Sequence, residues 1–433
     1  MNDLISSEDD MKDILIRNVH ILDPANNRDE TGDILIRGGR FAPPAQADGN
    51  ALVIDGTGLT AAPGLVDLHV HLRDPGQTQK EDILTGCRAA AAGGVTSLLA
   101  MPNTAPTVDT PDTVSYILEK AKDADAHVYV VGSITMGLEG HEPTDIDALY
   151  RAGIRALSDD GRPVLDTSIM VDAMKKAEKL GIPVTAHCED PYLAGGKVNE
   201  GEISEALGVK GMSAAAEDAG TARELSLAAA YGLPVHICHV STKTSAEMIR
   251  DFKRRGVRVT AETAPHYLML TEKELLKRDA DYRMNPPLRR EEDRLAMIEA
   301  LLDGTIDAIA TDHAPHTPEE KSDFVNAPNG SIGMETSFAA AYTVLAQSGK
   351  MSESELIVKM SCAPAKILGI AAGDLGEGKQ ADIFLYKKEK WTVDPEKLHG
   401  KSKNTPFKGL TLGARVKLTI CGGKIVYNEL TEE

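Results

Sequence analysis

The chain has 433 residues, 42% hydrophobic and 26% charged, the composition of an ordered globular protein long enough for a large barrel plus a smaller module. Lys and Arg total 47 against 66 Asp and Glu, and the formal charge of −19 repels phosphate backbones, so nucleic acid is excluded as a partner. Aromatics are 4% with one Trp, too few for a base-stacking surface. The longest mostly apolar stretch begins at Ala89 and is broken by Gly93-Gly94, Pro102 and Pro106, so no membrane span is expected.

The N-terminal MNDLISSEDDMKD is acidic and has neither the basic nor the apolar segment of a secretion signal. A cytoplasmic protein is expected. The five cysteines stand at unrelated spacings and read as reduced thiols, not as a disulfide framework or a zinc knuckle.

In chain order, residues 1–10 read as an acidic tail. Short β-rich runs with Gly-Gly or Asn turns follow at 14–19 and 32–41, and recur at 378–386 and 416–426. Both ends are therefore expected to feed one β-sandwich module, residues 11–62 and 372–433. Between them, residues 63–371 alternate apolar runs with amphipathic helical stretches. Candidate strands lie at 64–72, 95–100, 126–134, 154–157, 183–187, 234–240, 258–263 and 308–311. Helical patterns include 80–92, 166–180, 214–230 and 291–302. Eight β-α repeats predict a closed (β/α)8 TIM-like barrel. An open doubly wound sheet is the alternative, weakened because no G-x-G-x-x-G follows the first strand.

A barrel carries its chemistry at the C-terminal ends of its strands. The first strand ends Asp67-Leu68-His69-Val70-His71-Leu72-Arg73, and alternation puts Asp67, His69, His71 and Arg73 on one face. The fourth ends Ser158-Asp159-Asp160-Gly161, the fifth at His187, the sixth at His239 and the eighth at Asp312. A single strand-end Asp can be a helix cap, and a single His a satisfied core residue. Five strands out of eight ending this way point instead to a metal centre with nitrogen and oxygen ligands. The alternation within Val235-His236-Ile237-Cys238-His239 turns His236 toward the helix layer and Cys238 away from the site, as it does Cys188. No cysteine ligand is expected.

Asp67-Leu68-His69-Val70-His71-Leu72-Arg73-Asp74-Pro75-Gly76 and Ala310-Thr311-Asp312-His313-Ala314-Pro315-His316, the latter followed by Lys321, resemble the two signature motifs of the dihydroorotase family. Met101-Pro102-Asn103-Thr104, Glu262-Thr263-Ala264-Pro265-His266-Tyr267 and Asn285-Pro286-Pro287-Leu288-Arg289 extend the resemblance over nearly the whole chain, to the long, bacterial type I form within the amidohydrolase superfamily. The resemblance implies two Zn2+ per chain held by His69, His71, Asp160, His187, His239 and Asp312, bridged by Asp160 and a hydroxide. The choice between Asp159 and Asp160 as the bridge rests on the family motif, which places the ligand just before Gly. Many relatives bridge with a carboxylated lysine, but no Lys occurs here between Lys122 and Lys175.

The activity so implied is the reversible cyclisation of N-carbamoyl-L-aspartate to (S)-dihydroorotate plus water, the third step of pyrimidine synthesis, with Asp312 as general base and acid. The resemblance also places Arg73, Asn103 and His316 on the substrate carboxylate, and Asn285, Asn329 and Gly330 on its amide groups. Asn329 departs from the apolar or aromatic residue expected before Gly330. A homodimer is expected, with aspartate transcarbamoylase as the candidate protein partner. Two other readings stand beside this one: a different cyclic-amide hydrolase, and a non-catalytic scaffold that has lost its metal.

Overall fold

A computed structural model describes residues 12–430; the acidic segment expected at 1–10 lies outside them. Strands Leu65–Val70, Val95–Ala100, His127–Gly132 and Ile154–Leu157 form one parallel sheet, and Thr185–Ala186, Val235–Ile237, Val259–Thr263 and Ala308–Ile309 form another. Parallel bridges Leu157↔Val184 and Val70↔His313 join their two seams, so eight strands close into a distorted barrel. The eight strands fall where the apolar runs predicted them.

The helices follow suit, with single-residue shifts at some termini and a three-residue shift at one. The helix expected from residue 80 starts at Ile83, because the Asp82 side chain accepts from the Thr85 amide and Thr85 returns a bond to the Asp82 amide. Helix Glu291–Leu302 has the expected bounds.

Strands from both chain ends form a single eight-stranded sheet that contains Ile14–Asp23, Arg28–Arg37, Thr60–Pro63, Ile383–Lys387, Arg415–Cys421 and Lys424–Asn428. Strand Ile383–Lys387 shows why the sheet docks where it does. Ile383 and Leu385 pack into the sheet's own core with Ile16, Ile21 and Leu418. Phe384 and Tyr386 point the other way, into the barrel's helix layer, where both rings meet Phe338. One strand with period-two alternation thus serves two cores. Inside the barrel, Val66, Leu68, Leu99, Val131, Ala156 and Ala308 pack on Ala365 and Leu368 of the helix Ala363–Leu368. Among the described residues no helix is long and apolar enough to cross a membrane, and all five cysteines are free.

Candidate active site and metal centre

The strand ends bring the six expected ligands together around one carboxylate. Asp160 Oδ1 lies 3.3 Å from His69 Nε2, 3.6 Å from His187 Nδ1 and 3.8 Å from His239 Nε2, while its Oδ2 lies 3.6 Å from His71 Nε2. Asp312 Oδ1 stands 3.2 Å from His71 Nε2 and 3.7 Å from His69 Nε2. His69, His71 and Asp160 form one group with metal-ligating geometry; Asp160, His187 and His239 form a second, and Asp160 belongs to both. Asp159 points elsewhere. Its carboxylate accepts the Ile134 amide at 2.7 Å, the Thr135 amide at 3.1 Å and the Thr135 hydroxyl.

The far sides of the rings are held as metal-bound imidazoles require. His71 Nδ1 donates to Asn103 Oδ1 at 2.8 Å, which leaves Nε2 facing the two aspartates. His69 Nδ1 faces Glu262 Oε1 at 3.4 Å, and His187 Nε2 faces Glu189 Oε2 at 3.6 Å. Glu189 in turn accepts from Asn285 Nδ2 at 2.8 Å. Glu262 and Glu189 escaped the sequence reading. Glu262 is the penultimate residue of the strand Val259–Thr263, and Glu189 follows His187 by two residues, so period-two parity from His187 was the available signal.

Charge and unpaired atoms both fit a cation here. Asp160 Oδ1 and His69 Nε2 are buried without a hydrogen-bond partner among the described residues, a cost that a bound ion would remove. Burial would raise the Asp160 pKa, yet His69, His187 and His239 outweigh it and hold the carboxyl well below its ordinary range. Burial likewise opposes charge on His187, but Asp160 and Glu189 lift it to about 10. The pocket therefore favours positive charge at its centre, and its nitrogen and oxygen donors suit zinc or a similar divalent ion.

Three site residues sit in left-handed backbone: Arg73 at φ 62°, His239 at φ 35° and Asp312 at φ 49°. Such conformations are uncommon away from glycine and collect at functional sites. They also explain where strict alternation fails. With His239 turned out of the extended conformation, Val235 and Ile237 join the apolar layer under the helices. His236 then pairs with Glu262 at 3.2 Å instead of facing the helix layer. Cys238 likewise lies against His69 and Glu262, not away from the site. Asp67 is displaced in the opposite sense. Its carboxylate accepts from the Thr311 amide and hydroxyl and from the His69 backbone amide, and does not face the imidazoles.

The remaining expected residues ring the centre. Arg73 Nε donates to the Pro315 carbonyl at 3.2 Å, and its Nη2 is 3.4 Å from His316 Nε2. Burial lowers its pKa to about 10, so it stays cationic at neutral pH. Asn103 also donates to Asp160 Oδ2 at 3.1 Å, so its amide is engaged with the candidate metal ligands. The Asn329 side chain accepts from Arg283 at 3.0 Å, and its carbonyl accepts from His316 at 2.9 Å. Gly330 is required on two counts. Its φ is +137°, and a Cβ would come within 2.8 Å of Ala314 and His316.

The chain matches the amidohydrolase family over residues 60–426. It is 45% identical to a dihydroorotase of Clostridioides difficile across 96% of this chain and 100% of that one. It is 48% identical to one of Geobacter metallireducens, over 96% and 99%, and 44% identical to one of Aquifex aeolicus, over 97% and 100%. Among solved structures, an L-hydantoinase from Arthrobacter aurescens has the same fold, with a TM-score of 0.86, 24% identity and 97% of each chain covered. A dihydropyrimidinase from Brevibacillus agri superposes with a TM-score of 0.83 at 25% identity, over 96% and 95%. The chain belongs to the amidohydrolase family, where it stands with the dihydroorotases as a cyclic-amide hydrolase.

Proposed function

We propose that the chain interconverts N-carbamoyl-L-aspartate and (S)-dihydroorotate, with two zinc ions held by His69, His71, Asp160, His187, His239 and Asp312. The observation that carries this reading is the Asp160 carboxylate set within 3.8 Å of four imidazoles, beside the half-buried Arg73. Ions held there would supply Lewis acidity, polarising an amide carbonyl and lowering the pKa of water to near neutrality. The residues supply the rest. Asp312, whose pKa burial would raise but neighbouring imidazoles hold at about 2, is ionised and free to accept the proton of the attacking water. In the hydrolytic direction it hands that proton to the departing ring nitrogen; in cyclisation the transfer reverses. Arg73 provides a two-pronged donor for a substrate carboxylate, a local attraction that a protein of charge −19 needs for a dianion. Asn285 and the backbone at Asn329-Gly330 face the amide groups. Residues 63–371 would carry this chemistry, and 11–62 with 372–433 the supporting module.

Ultraviolet loss of dihydroorotate, assayed beside dihydrouracil and allantoin on protein of known metal content, tests the reading. Turnover of dihydroorotate with near two zinc per chain is expected. Turnover of another cyclic amide alone would overturn the substrate, and a metal-free inert protein that zinc does not rescue would overturn the enzyme.

A further inference from the structure

His127 opens the third barrel strand, Asp382 immediately precedes strand Ile383–Lys387, and Cys421 closes strand Arg415–Cys421. They meet at the N-terminal end of the barrel strands, opposite the centre described above, where the terminal sheet docks. His127 Nε2 lies 3.0 Å from Asp382 Oδ1, 3.3 Å from Cys421 Sγ and 3.3 Å from Gln380 Nε2. One ring nitrogen has at most a single hydrogen to give, yet three polar groups converge on it. The other bonds are few: Asp382 Oδ1 accepts the Gly422 amide at 2.7 Å, and the thiol reaches the Thr96 carbonyl at 3.5 Å. Asp382 and Cys421 are buried, while His127 is about one-third exposed, at 31% of its side chain. It borders a groove of 720 Å³ lined also by Asp123, Asp125, Lys122 and Lys424.

We propose that His127, Asp382 and Cys421 form a second metal site, separate from the catalytic centre, for a transition ion of the zinc class. The three donor atoms lie within 4.8 Å of one another. Ligand atoms around tetrahedral zinc stand roughly 3.3–3.6 Å apart, given bonds of about 2.0–2.3 Å. The two spacings from His127 Nε2, 3.0 Å to Asp382 and 3.3 Å to Cys421, therefore need only a few tenths of an ångström of adjustment. Nitrogen, carboxylate and sulfur together select a borderline ion over calcium or magnesium, which take oxygen ligands. The groove leaves the fourth position to water. On binding, the Cys421 thiol proton leaves to solvent and the sulfur–metal bond forms. Because the ligands come from both the barrel and the terminal sheet, the ion would clamp the two together.

Titrating the purified holoenzyme with Cd2+ or Co2+, and following the near-ultraviolet sulfur-to-metal charge-transfer band, tests the site. One saturable equivalent is expected in wild type and in Cys238→Ser, the control for the thiol beside the catalytic histidines. The band should vanish in Cys421→Ser, and affinity should fall roughly tenfold or more in His127→Gln. His127→Gln, at the exposed edge, keeps the test decisive if serine at 421 disturbs the sheet. Added Zn2+ should raise the melting temperature of wild type but not of Cys421→Ser, whose turnover without added ion should match wild type. No band in wild type, or a band that survives Cys421→Ser and disappears in Cys238→Ser, would overturn the proposal.

Discussion

Asp159 and Asp160 are chemically identical neighbours with opposite fates. Three donors from residues 134 and 135 hold Asp159, whereas Asp160 stands among four imidazoles. A strand-end Asp-Asp pair announces that one carboxylate is available; it does not say which, because the choice depends on what the adjacent strand offers. Arg73 supports a sharper expectation. Arg73→Lys should raise KM for dihydroorotate about tenfold, from loss of a two-pronged contact, with metal content unchanged. Steady-state kinetics beside metal analysis checks it, and an unaltered KM would remove Arg73 from the substrate pocket. On the function proposed above, Asp312→Asn would take away both a charged ligand and the proton acceptor. Turnover should fall by at least about a hundredfold on the usual scale of general acid–base catalysis, and a loss under tenfold would refute the role.

At the scale of elements, the site depends on how closely helices approach the strand ends. Helix Ala215–Tyr231 presents Gly220 to the backbone that follows His187, and a Cβ there would stand 2.5 Å from the Glu189 nitrogen and 2.7 Å from the Cys188 carbonyl carbon. Backbone cannot yield as a flexible side chain can, so Gly220→Ala should cost about 1–3 kcal/mol in urea unfolding and displace His187. The segment after His316 is held differently. Lys321 Nζ donates to the carbonyls of Gly330, Pro328 and Arg283 at 2.8, 3.0 and 3.3 Å, closing the loop from beneath. Burial lowers its pKa from 10.5 to about 7, so the unfolded chain binds this proton more tightly than the folded one. Stability should therefore rise with pH between about 7 and 10.5. Urea unfolding across that window should show the slope in wild type and a flatter one in Lys321→Met.

Across the whole molecule, barrel and terminal sheet share one aromatic seam. Phe338 meets Phe384 at 5.0 Å and Tyr386 at 4.7 Å between ring centroids. Phe384→Ala should destabilise the protein by about 3–5 kcal/mol, the usual cost of removing a fully buried ring. Because the seam joins the two cores, calorimetry should still show a single transition; two separated transitions in wild type would mean the sheet and barrel unfold independently.

The sequence by itself determined the number and order of the barrel strands, the meeting of the chain ends in one sheet, and the set of strand-end histidines and aspartates. Those follow from local periodicity and from the rule that puts barrel chemistry at strand C-termini. Only the tertiary structure decided what the side chains at those ends do. His239, Arg73 and Asp312 adopt left-handed backbone, so strict alternation stops where the site begins, and Cys238 and His236 turn opposite to the simple pattern. Glu262 and Glu189 acquire their places behind His69 and His187 from strands and loops remote in sequence or just past a strand's end. Periodicity reports the regular part of an element; a site is built where regularity ends, and there the contacts are set by neighbours that the chain brings together only on folding.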